Sequence, residues 1–217
     1  MLNQHYAFVI TAFSDRLRTA VLHPRGLCLA KLPVAGNAAL SLRLLYYGQF
    51  EKEGELTIGI FSETLLQAVC FLTFSISSFT PNQRGMFVGG LQGSRSVTEK
   101  EDVISITRQM HGMRPKALLF FALQQLASFW KVTSIRAVSD EQHIYRHIRK
   151  RKTINARYNE FWTECGGRRQ SDGMFELPVV REDRDLTEMK ATKRQMYRRR
   201  YAMLTRLSEE IQTTLRI

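Results

Sequence analysis

The sequence has few cysteines and no long apolar run, and each absence excludes a class of protein. Its 217 residues include 3 cysteines, Cys28, Cys70 and Cys165, which are odd in number and widely spaced. This pattern predicts neither a disulfide framework nor a zinc site, and it favours a reducing compartment. The apolar stretches around 65–76 and 117–130 contain polar residues and are too short to span a membrane. No secretory signal is visible at the start, so we expect a protein that does not cross a membrane.

Acidic residues are also scarce relative to basic ones. Lys and Arg number 32 against 20 Asp and Glu, which gives a formal net charge of +12. Such a surplus predicts attraction to polyanions, including nucleic acid, anionic lipid head groups and phosphorylated cofactors.

Two basic runs are candidates for an anionic-surface binding site. They are Arg149, Lys150, Arg151 and Lys152, and then Arg198, Arg199 and Arg200. Each run alone is typical of a solvated helix face. Because both are bordered by tyrosine or tryptophan, we predict one shared surface that binds an anionic membrane or envelope component. RNA binding is the alternative, since RNA-binding proteins also combine aromatic side chains with positive charge.

The strongest structural pattern lies in residues 85–139. A short apolar run ending at Gly89-Gly90 predicts a buried strand whose glycines permit close backbone approach. Apolar residues at three- and four-residue spacing over 116–130 predict a helix with a broad buried face. The next strand is predicted at 134–138. This strand–helix–strand order is a βαβ unit, so the sequence predicts an α/β (α+β) fold with a central mixed sheet and packed helices.

The flanking segments complete a single domain, residues 1–217. The apolar period over 2–22 predicts an N-terminal helix, and the alternation at 55–61 predicts the return strand of a hairpin. Ser139-Asp140 predicts the N-cap of a long helix that begins near Glu141. A basic helix is predicted at the C-terminus.

The turn at 111–116 is the first candidate for chemistry. Gly112 ends one helix, and Pro115 fits the first turn of the next, whose free N–H groups favour an anion. Arg114 and Lys116 add positive charge there, which predicts a phosphate site. The alternative is that both are solvated charges and that Pro115 only starts the helix.

The sequence also contains a histidine pair whose spacing suits two metal ligands. His143 and His147 are four residues apart, the spacing of two ligands on one helix face. No Glu-x-x-His context or third carboxylate accompanies them, so we predict no metal.

Several motifs together resemble the VirK/YbjX family of Gram-negative bacteria. They are LQGSRS, TRQMHGMRPKALLFFALQQLA, AVSDEQHIYRHIRKRKTINARYNEFWTECGG, FELP and KRQMYRRRYAML, and KEGELTIGIF at 52–61 is similar to the family's hairpin. The resemblance runs from about His5 to Leu207. It implies a virulence-accessory role at the bacterial envelope, including tolerance of cationic antimicrobial peptides, and a cytoplasmic or peripheral inner-membrane location. Family members usually carry further helical sequence in front, and we expect this chain to lack it.

The element order is also similar to that of N-acetyltransferase-like acyltransferases. That similarity implies an acyl-CoA or other phosphorylated donor at the helix start, with Gln92, Gly112, Arg114 and Lys116 as its site and Tyr145 as general acid. The usual glycine-rich loop is absent here, and an extra helix at about 97–110 intervenes.

Two classes of function follow. The first is an acyl or group transferase that acts on an envelope component, with Glu53, Glu55 or His111 as base. The second is a non-catalytic basic module that binds anionic lipid, a protein or RNA, without reading a nucleic-acid sequence. A pocket that joins the 111–116 turn to Tyr145 would favour the first class.

Overall fold

The fold was analysed in a computed structural model, which describes residues 2–32, 39–63, 67–80, 83–93, 100–144 and 157–217. The strands in this part of the chain are β1 (Leu27–Leu32), β2 (Leu40–Leu45), β3 (Leu56–Ser62), β4 (Gln67–Thr80), β5 (Gln83–Gly93), β6 (Ser134–Ala137), β7 (Arg168–Arg169) and β8 (Phe175–Leu177). The helices are α1 (Leu2–Ala12), α2 (Asp15–Leu22), α3 (Lys100–Gln109), α4 (Pro115–Phe129), α5 (Tyr158–Glu164) and α6 (Ala191–Thr214).

The strands form one mixed sheet in the order β1-β2-β3-β4-β5-β6-β8-β7. Neighbours run antiparallel except β5 and β6, which are parallel. The chain between these two strands passes through α3 and α4, as a parallel pair requires a long crossover. The predicted α/β fold with a central mixed sheet and packed helices is confirmed.

One face of the sheet is apolar and covered by helices. Leu72 and Phe74 of β4 have 0% exposed surface, as does Ile58 of β3. The α4 residues Leu118, Leu119, Ala122, Leu123, Leu126 and Ala127 are equally buried. Trp130, just after α4, stacks on Phe13 with ring centroids 5.2 Å apart. The predicted burial of a broad face of α4 is therefore confirmed.

The outer strand β1 is protected by α6. The Lys31 N–H donates to Glu210 Oε2 at 3.3 Å, and Thr214 Oγ1 donates to the Leu29 carbonyl at 3.3 Å. An edge strand with unpaired backbone groups invites aggregation, so side chains from α6 take the place of another strand.

The single N-terminal helix predicted over 2–22 is wrong. The chain breaks between α1 and α2 at Ser14, whose extended backbone and side chain form an N-cap. Ser14 Oγ accepts a hydrogen bond from the Leu17 N–H at 3.1 Å. This side-chain bond satisfies a donor that would otherwise be free at the start of α2, and it stabilises the new helix.

The helix predicted to begin near Glu141 does not begin there, because Asp140–Gln142 forms a turn. The Asp140 carboxylate accepts hydrogen bonds from the start of α5 instead. Its Oδ1 accepts from the Tyr158 N–H at 2.8 Å, and its Oδ2 accepts from the Asn159 N–H at 3.2 Å. The predicted N-cap at Ser139-Asp140 is therefore wrong: Arg157 is the N-cap residue of α5, and Asp140 contributes its carboxylate from a distant position in the sequence.

Replacing Leu123 with Asp should prevent folding. An unpaired carboxylate buried among apolar side chains costs several kcal/mol, about the whole net stability of a domain. Circular dichroism and thermal melting measure the effect, with Ser128→Asp on the exposed side of α4 as the control. A cooperative Leu123→Asp protein that melts near the wild-type temperature would contradict the burial of this face.

Candidate active site

The parallel strands β5 and β6 stay paired over only part of their length. Their register runs from Gly85 opposite Ser134 to Val88 opposite Ala137. Beyond Val88, β5 continues to Gly93, whereas β6 ends at Ala137. Among the described residues, the carboxyl half of β5 therefore has no strand partner on that side, and side chains from elsewhere in the chain approach it.

A β-bulge at Gly89 and Gly90 brings Glu53 onto this part of β5. Thr73 of β4 pairs with Gly90 and Phe74 pairs with Val88, so Gly89 is the extra residue. A Cβ on Gly89 would lie 1.9 Å from the Glu53 carbonyl oxygen, and one on Gly90 would lie 1.8 Å from Glu53 Oε2. The predicted close backbone approach at Gly89-Gly90 is confirmed, and the group that approaches is Glu53.

The Glu53 side chain has 0% exposed surface and is surrounded by polar groups. Gln92 Nε2 donates to Glu53 Oε1 at 2.5 Å. His143 Nε2 lies 3.5 Å from the same oxygen, and the two groups form an ion pair when the imidazole is protonated. Glu53 Oε2 has no hydrogen-bond partner among the described residues. A buried polar atom of this kind requires an explanation, and catalysis is one of them.

Tyr158 completes what we call the Glu53 cluster: Glu53, Gln92, His143 and Tyr158. The Tyr158 ring stacks on His143, with centroids 5.1 Å apart. Its hydroxyl oxygen accepts a hydrogen bond from the Leu91 N–H at 3.3 Å. Burial raises the pKa of this hydroxyl above its ordinary value, so Tyr158 is neutral at physiological pH. Tyr158 thus occupies the space that opens where β5 leaves β6.

This arrangement is suited to proton transfer. A carboxylate held in a desolvated site can act as a general base, and an imidazole beside it can take part in the proton transfer. In the ranges that the structure describes, no group of three or more His, Cys, Asp or Glu side chains is placed to hold a metal ion.

The other two predicted bases lie elsewhere. The Glu55 side chain accepts a hydrogen bond from the Tyr6 hydroxyl at 2.8 Å, and this bond raises the pKa of Tyr6. His111 adopts a left-handed backbone with φ of 53° at the end of α3. Neither residue belongs to the Glu53 cluster, and their catalytic roles stay predictions.

Two of the residues predicted to hold a phosphorylated donor bond to other residues of the protein: Gln92 to Glu53, and Arg114 to Glu164. The ion pair of Arg114 with Glu164 lies at the surface. Lys116 is half-buried, and burial lowers the pKa of its ammonium group. A Cβ on Gly112 would lie 2.9 Å from Arg200 Nη2, so the Arg200 side chain covers this turn. Gly112, Met113 and Arg114 line an open cleft beside α4, and donor binding at this turn stays a prediction.

The C-terminal basic run is not one uniform surface. Arg198 and Arg199 are exposed on α6. Arg200 instead donates to the His111 carbonyl, at 3.0 Å from Nε and 2.7 Å from Nη2, and stacks over Tyr197. The run at 149–152 lies outside the described residues, as do Tyr145 and His147. A pocket joining Tyr145 to the 111–116 turn is therefore not tested.

Sequence reasoning missed the partnership of His143 and Tyr158 with Glu53. The sequence indicates His143 only through its spacing from His147, and nothing in the sequence marks Tyr158 as a neighbour of Glu53. The Gly89-Gly90 pair was the one usable signal, because adjacent glycines in a buried strand indicate that something packs against their backbone.

The fold and the Glu53 cluster define an α/β protein with a mixed sheet and a candidate acid–base site. The chain belongs to the family described as protein of unknown function DUF535, whose model matches residues 1–213. This is the VirK/YbjX family that the motifs predicted.

Among its relatives, the chain is 33% identical to the uncharacterized protein YbjX of Escherichia coli K12 over 218 residues. The alignment covers 99% of this chain and 66% of that protein. An uncharacterized Haemophilus influenzae protein is 34% identical over 139 residues, which cover 63% of this chain and 46% of that protein. The chain thus spans about two thirds or less of these relatives.

Two solved structures are similar to this chain at low TM-scores. Both are of the cAMP-binding acyltransferase from Mycobacterium smegmatis, the E234A and R95K mutants, and each is 12% identical to this chain. The first has a TM-score of 0.44 and covers 89% of this chain and 60% of that one. The second has a TM-score of 0.40 and covers 88% and 60%. At these TM-scores the similarity supports no conclusion about activity.

Replacing Gly90 with Ala should destabilise the protein by about 1–3 kcal/mol, the usual cost of overpacking a core. The new methyl group would overlap the Glu53 carboxylate and force it off β5. Denaturant unfolding measures the change. Gly93→Ala on the same strand is the control, since its Cβ would meet nothing within 4 Å. Equal stabilities for the two variants would contradict the contact between Glu53 and Gly90.

Proposed function

We propose that the protein is an acyl or group transferase that modifies a component of the bacterial envelope, with Glu53 as its general base. The observation that carries this proposal is the buried Glu53 carboxylate, which is held by Gln92 and lies next to His143 where β5 leaves β6. The second carboxylate oxygen of Glu53 has no hydrogen-bond partner in the described residues, and a buried polar atom of this kind is explained by a catalytic role.

The proposed reaction moves an acyl group from an activated ester or thioester to a hydroxyl or amine. Glu53 removes the proton from the acceptor as its oxygen or nitrogen attacks the acyl carbonyl carbon. The bond from that carbon to the leaving group then breaks, and the leaving group departs with the bonding electron pair and takes up the proton that Glu53 removed. His143, when its imidazole is protonated, would stabilise the negative charge of the Glu53 carboxylate.

Gln92 marks the route by which an acceptor reaches Glu53. It is half-buried, whereas Glu53 and His143 are buried. Its amide N–H points at Glu53 Oε1 in the way that the O–H or N–H of an acceptor would. Displacement of this one side chain would open the carboxylate to a substrate without moving the sheet.

The envelope role is supported by the family and by charge. The VirK/YbjX resemblance favours an envelope substrate and a part in tolerance of antimicrobial peptides. The net charge of +12 favours an acceptor that carries phosphate or carboxylate groups.

A second candidate function is binding to an anionic membrane surface, which would place the protein at the cytoplasmic side of the inner membrane. It is favoured by Lys193, Arg198 and Arg199, which are exposed on α6. None of the three has an ion-pair partner in the described part of the chain. Within the described ranges, no helix is both long and apolar enough to cross a membrane.

Replacing Glu53 with Gln should lower transferase activity about 100-fold or more, the usual contribution of a general base. A thermal-shift screen against CoA esters, nucleotides and lipid A fragments identifies ligands, because a bound ligand stabilises the fold. Thiol release from acetyl-CoA or lauroyl-CoA then measures transfer. Glu51→Gln, an exposed acid in the same loop, should keep full activity.

The melting temperature of Glu53→Gln separates a catalytic role from a structural one. A base acts on rate, so the variant should fold and bind ligand while turnover is lost. Full activity in Glu53→Gln would refute the proposal. Loss of activity only in proportion to the loss of folded protein would assign Glu53 a structural role.

Replacing Arg198 and Arg199 with Gln should weaken binding to anionic vesicles by about 1 kcal/mol per charge. Vesicles that contain phosphatidylglycerol, at low salt, provide the assay by co-sedimentation. Arg200 is left in place because it bonds the His111 carbonyl. Arg16→Gln with Arg25→Gln removes the same charge from exposed positions elsewhere. If both double variants bind alike, the α6 arginines are not a specific membrane site.

A further inference from the structure

A large cleft lies beside α4, apart from the Glu53 cluster. Its volume is about 1060 Å³, and no member of the Glu53 cluster lines it. Ala117, Phe120 and Phe121 of α4 form its floor with Leu177 and Val179. The cleft is half open, and its lining combines these apolar side chains with charged and polar groups, which makes it a candidate site for a small ligand.

A segment at 178–184, which we call the strap, forms one wall of the cleft and is fastened at both ends. At its start, Gln124 Nε2 donates to the Pro178 carbonyl at 2.8 Å. At its end, the Arg184 N–H donates to the Tyr201 hydroxyl oxygen at 2.9 Å. The Arg181 guanidinium lies 4.9 Å from the centre of the Tyr201 ring. The cleft is therefore a built feature rather than a gap between loose segments.

Some charges on the rim of the cleft neutralise one another. Arg114 pairs with Glu164, and Arg181 Nη2 pairs with Asp183 Oδ1 at 2.7 Å. Arg200 is bonded to the His111 carbonyl. These groups shape the rim and leave little net charge of their own.

Other rim charges remain open to a ligand. Arg168 and Arg184 are exposed and have no ion-pair partner within the described ranges, although Glu176 lies opposite Arg168 in the β7–β8 pairing and Glu182 is exposed as well. The five arginines and four acids that line the cleft leave it one net positive charge. The start of α4 at the cleft adds the partial positive charge of a helix N-terminus. Together with the surplus of basic residues in the chain, this favours an anion over a cation.

We infer that the cleft binds an anionic amphiphile. Arg168 and Arg184 would hold a phosphate or carboxylate head at the rim, and an acyl-type chain would lie over Phe120 and Phe121. Guanidinium groups suit such heads because they donate two hydrogen bonds in one plane. The inference rests on the cleft alone and requires no chemistry at Glu53.

Binding can be measured with dodecyl phosphate below its micelle concentration, by calorimetry and by tryptophan fluorescence. The Trp162 ring centroid lies 6.3 Å from that of Phe120, so a chain on the floor of the cleft should change its emission. Dodecyl phosphate should bind with 1:1 stoichiometry. Dodecanoate tests the carboxylate head, and dodecyltrimethylammonium, with the same chain and opposite charge, should bind about tenfold more weakly or worse.

Two variants locate the site. Ala117→Trp fills the floor and should weaken dodecyl phosphate binding about tenfold or more, the effect of overpacking. Ala202→Trp, an exposed alanine of α6 outside the cleft, is its control. Arg184→Gln should weaken binding about threefold, as expected for one exposed charge pair, whereas Arg216→Gln should leave it unchanged.

The outcomes separate this inference from the proposed transferase. Glu53→Gln should bind dodecyl phosphate like the wild type, so failure of the transfer assay leaves this test intact. No binding of dodecyl phosphate overturns the inference, and so does equal binding of the cationic amphiphile. Unchanged affinity in folded Ala117→Trp overturns it too, because the ligand would then lie elsewhere.

Discussion

The close contact between Glu53 and the backbone of β5 is the constraint on which the candidate active site depends. It exists because two successive residues of the strand have no side chain, so a carboxylate can lie against the sheet itself. The contact has a large desolvation cost, because burying an ionised carboxylate costs several kcal/mol unless pairing compensates for the lost hydration. Gln92 and His143 both face one of its oxygens, and the other oxygen finds no hydrogen-bond donor in the described structure. An arrangement this costly for stability is expected where function requires it.

The apolar architecture could be predicted from the sequence because it is encoded locally. The spacing of Leu118, Leu119, Leu123 and Leu126 indicates a helix, and the face that they share is the face that is buried. The βαβ order followed from the same reasoning. The ends of the helices were harder to predict from the sequence. Ser14 interrupts an apolar period that continues on both sides of it, and its side-chain hydrogen bond starts a new helix there.

The polar site could be predicted only in part, because its members meet across long sequence separations. Gly89-Gly90 indicated a close approach, but nothing in the spacing identified Glu53 as the group that approaches. In the sequence, Tyr158 cannot be distinguished from an aromatic residue of the apolar core. Its hydroxyl finds a partner because β6 ends early and leaves the Leu91 N–H without a strand partner among the described residues. The same limit applies to Arg200. Its neighbours Arg198 and Arg199 are identical in type, yet successive residues on a helix point in different directions, and only Arg200 reaches the His111 carbonyl.

The alternation of side chains along β4 determines how the two candidate sites relate. Phe74 lies on the face covered by α4, since its ring is 6.5 Å from that of Trp130. Thr73 points to the opposite face, and so does Gly90, its partner in β5. The Glu53 carboxylate fills the position of a Gly90 side chain and therefore lies on the face away from α4. The cleft is built from α4 and Leu177 on the other side. A ligand bound over Phe120 thus lies on the opposite face of the sheet from Glu53, and the stacked rings of Trp162 and Tyr158 lie between the two sites where β6 ends.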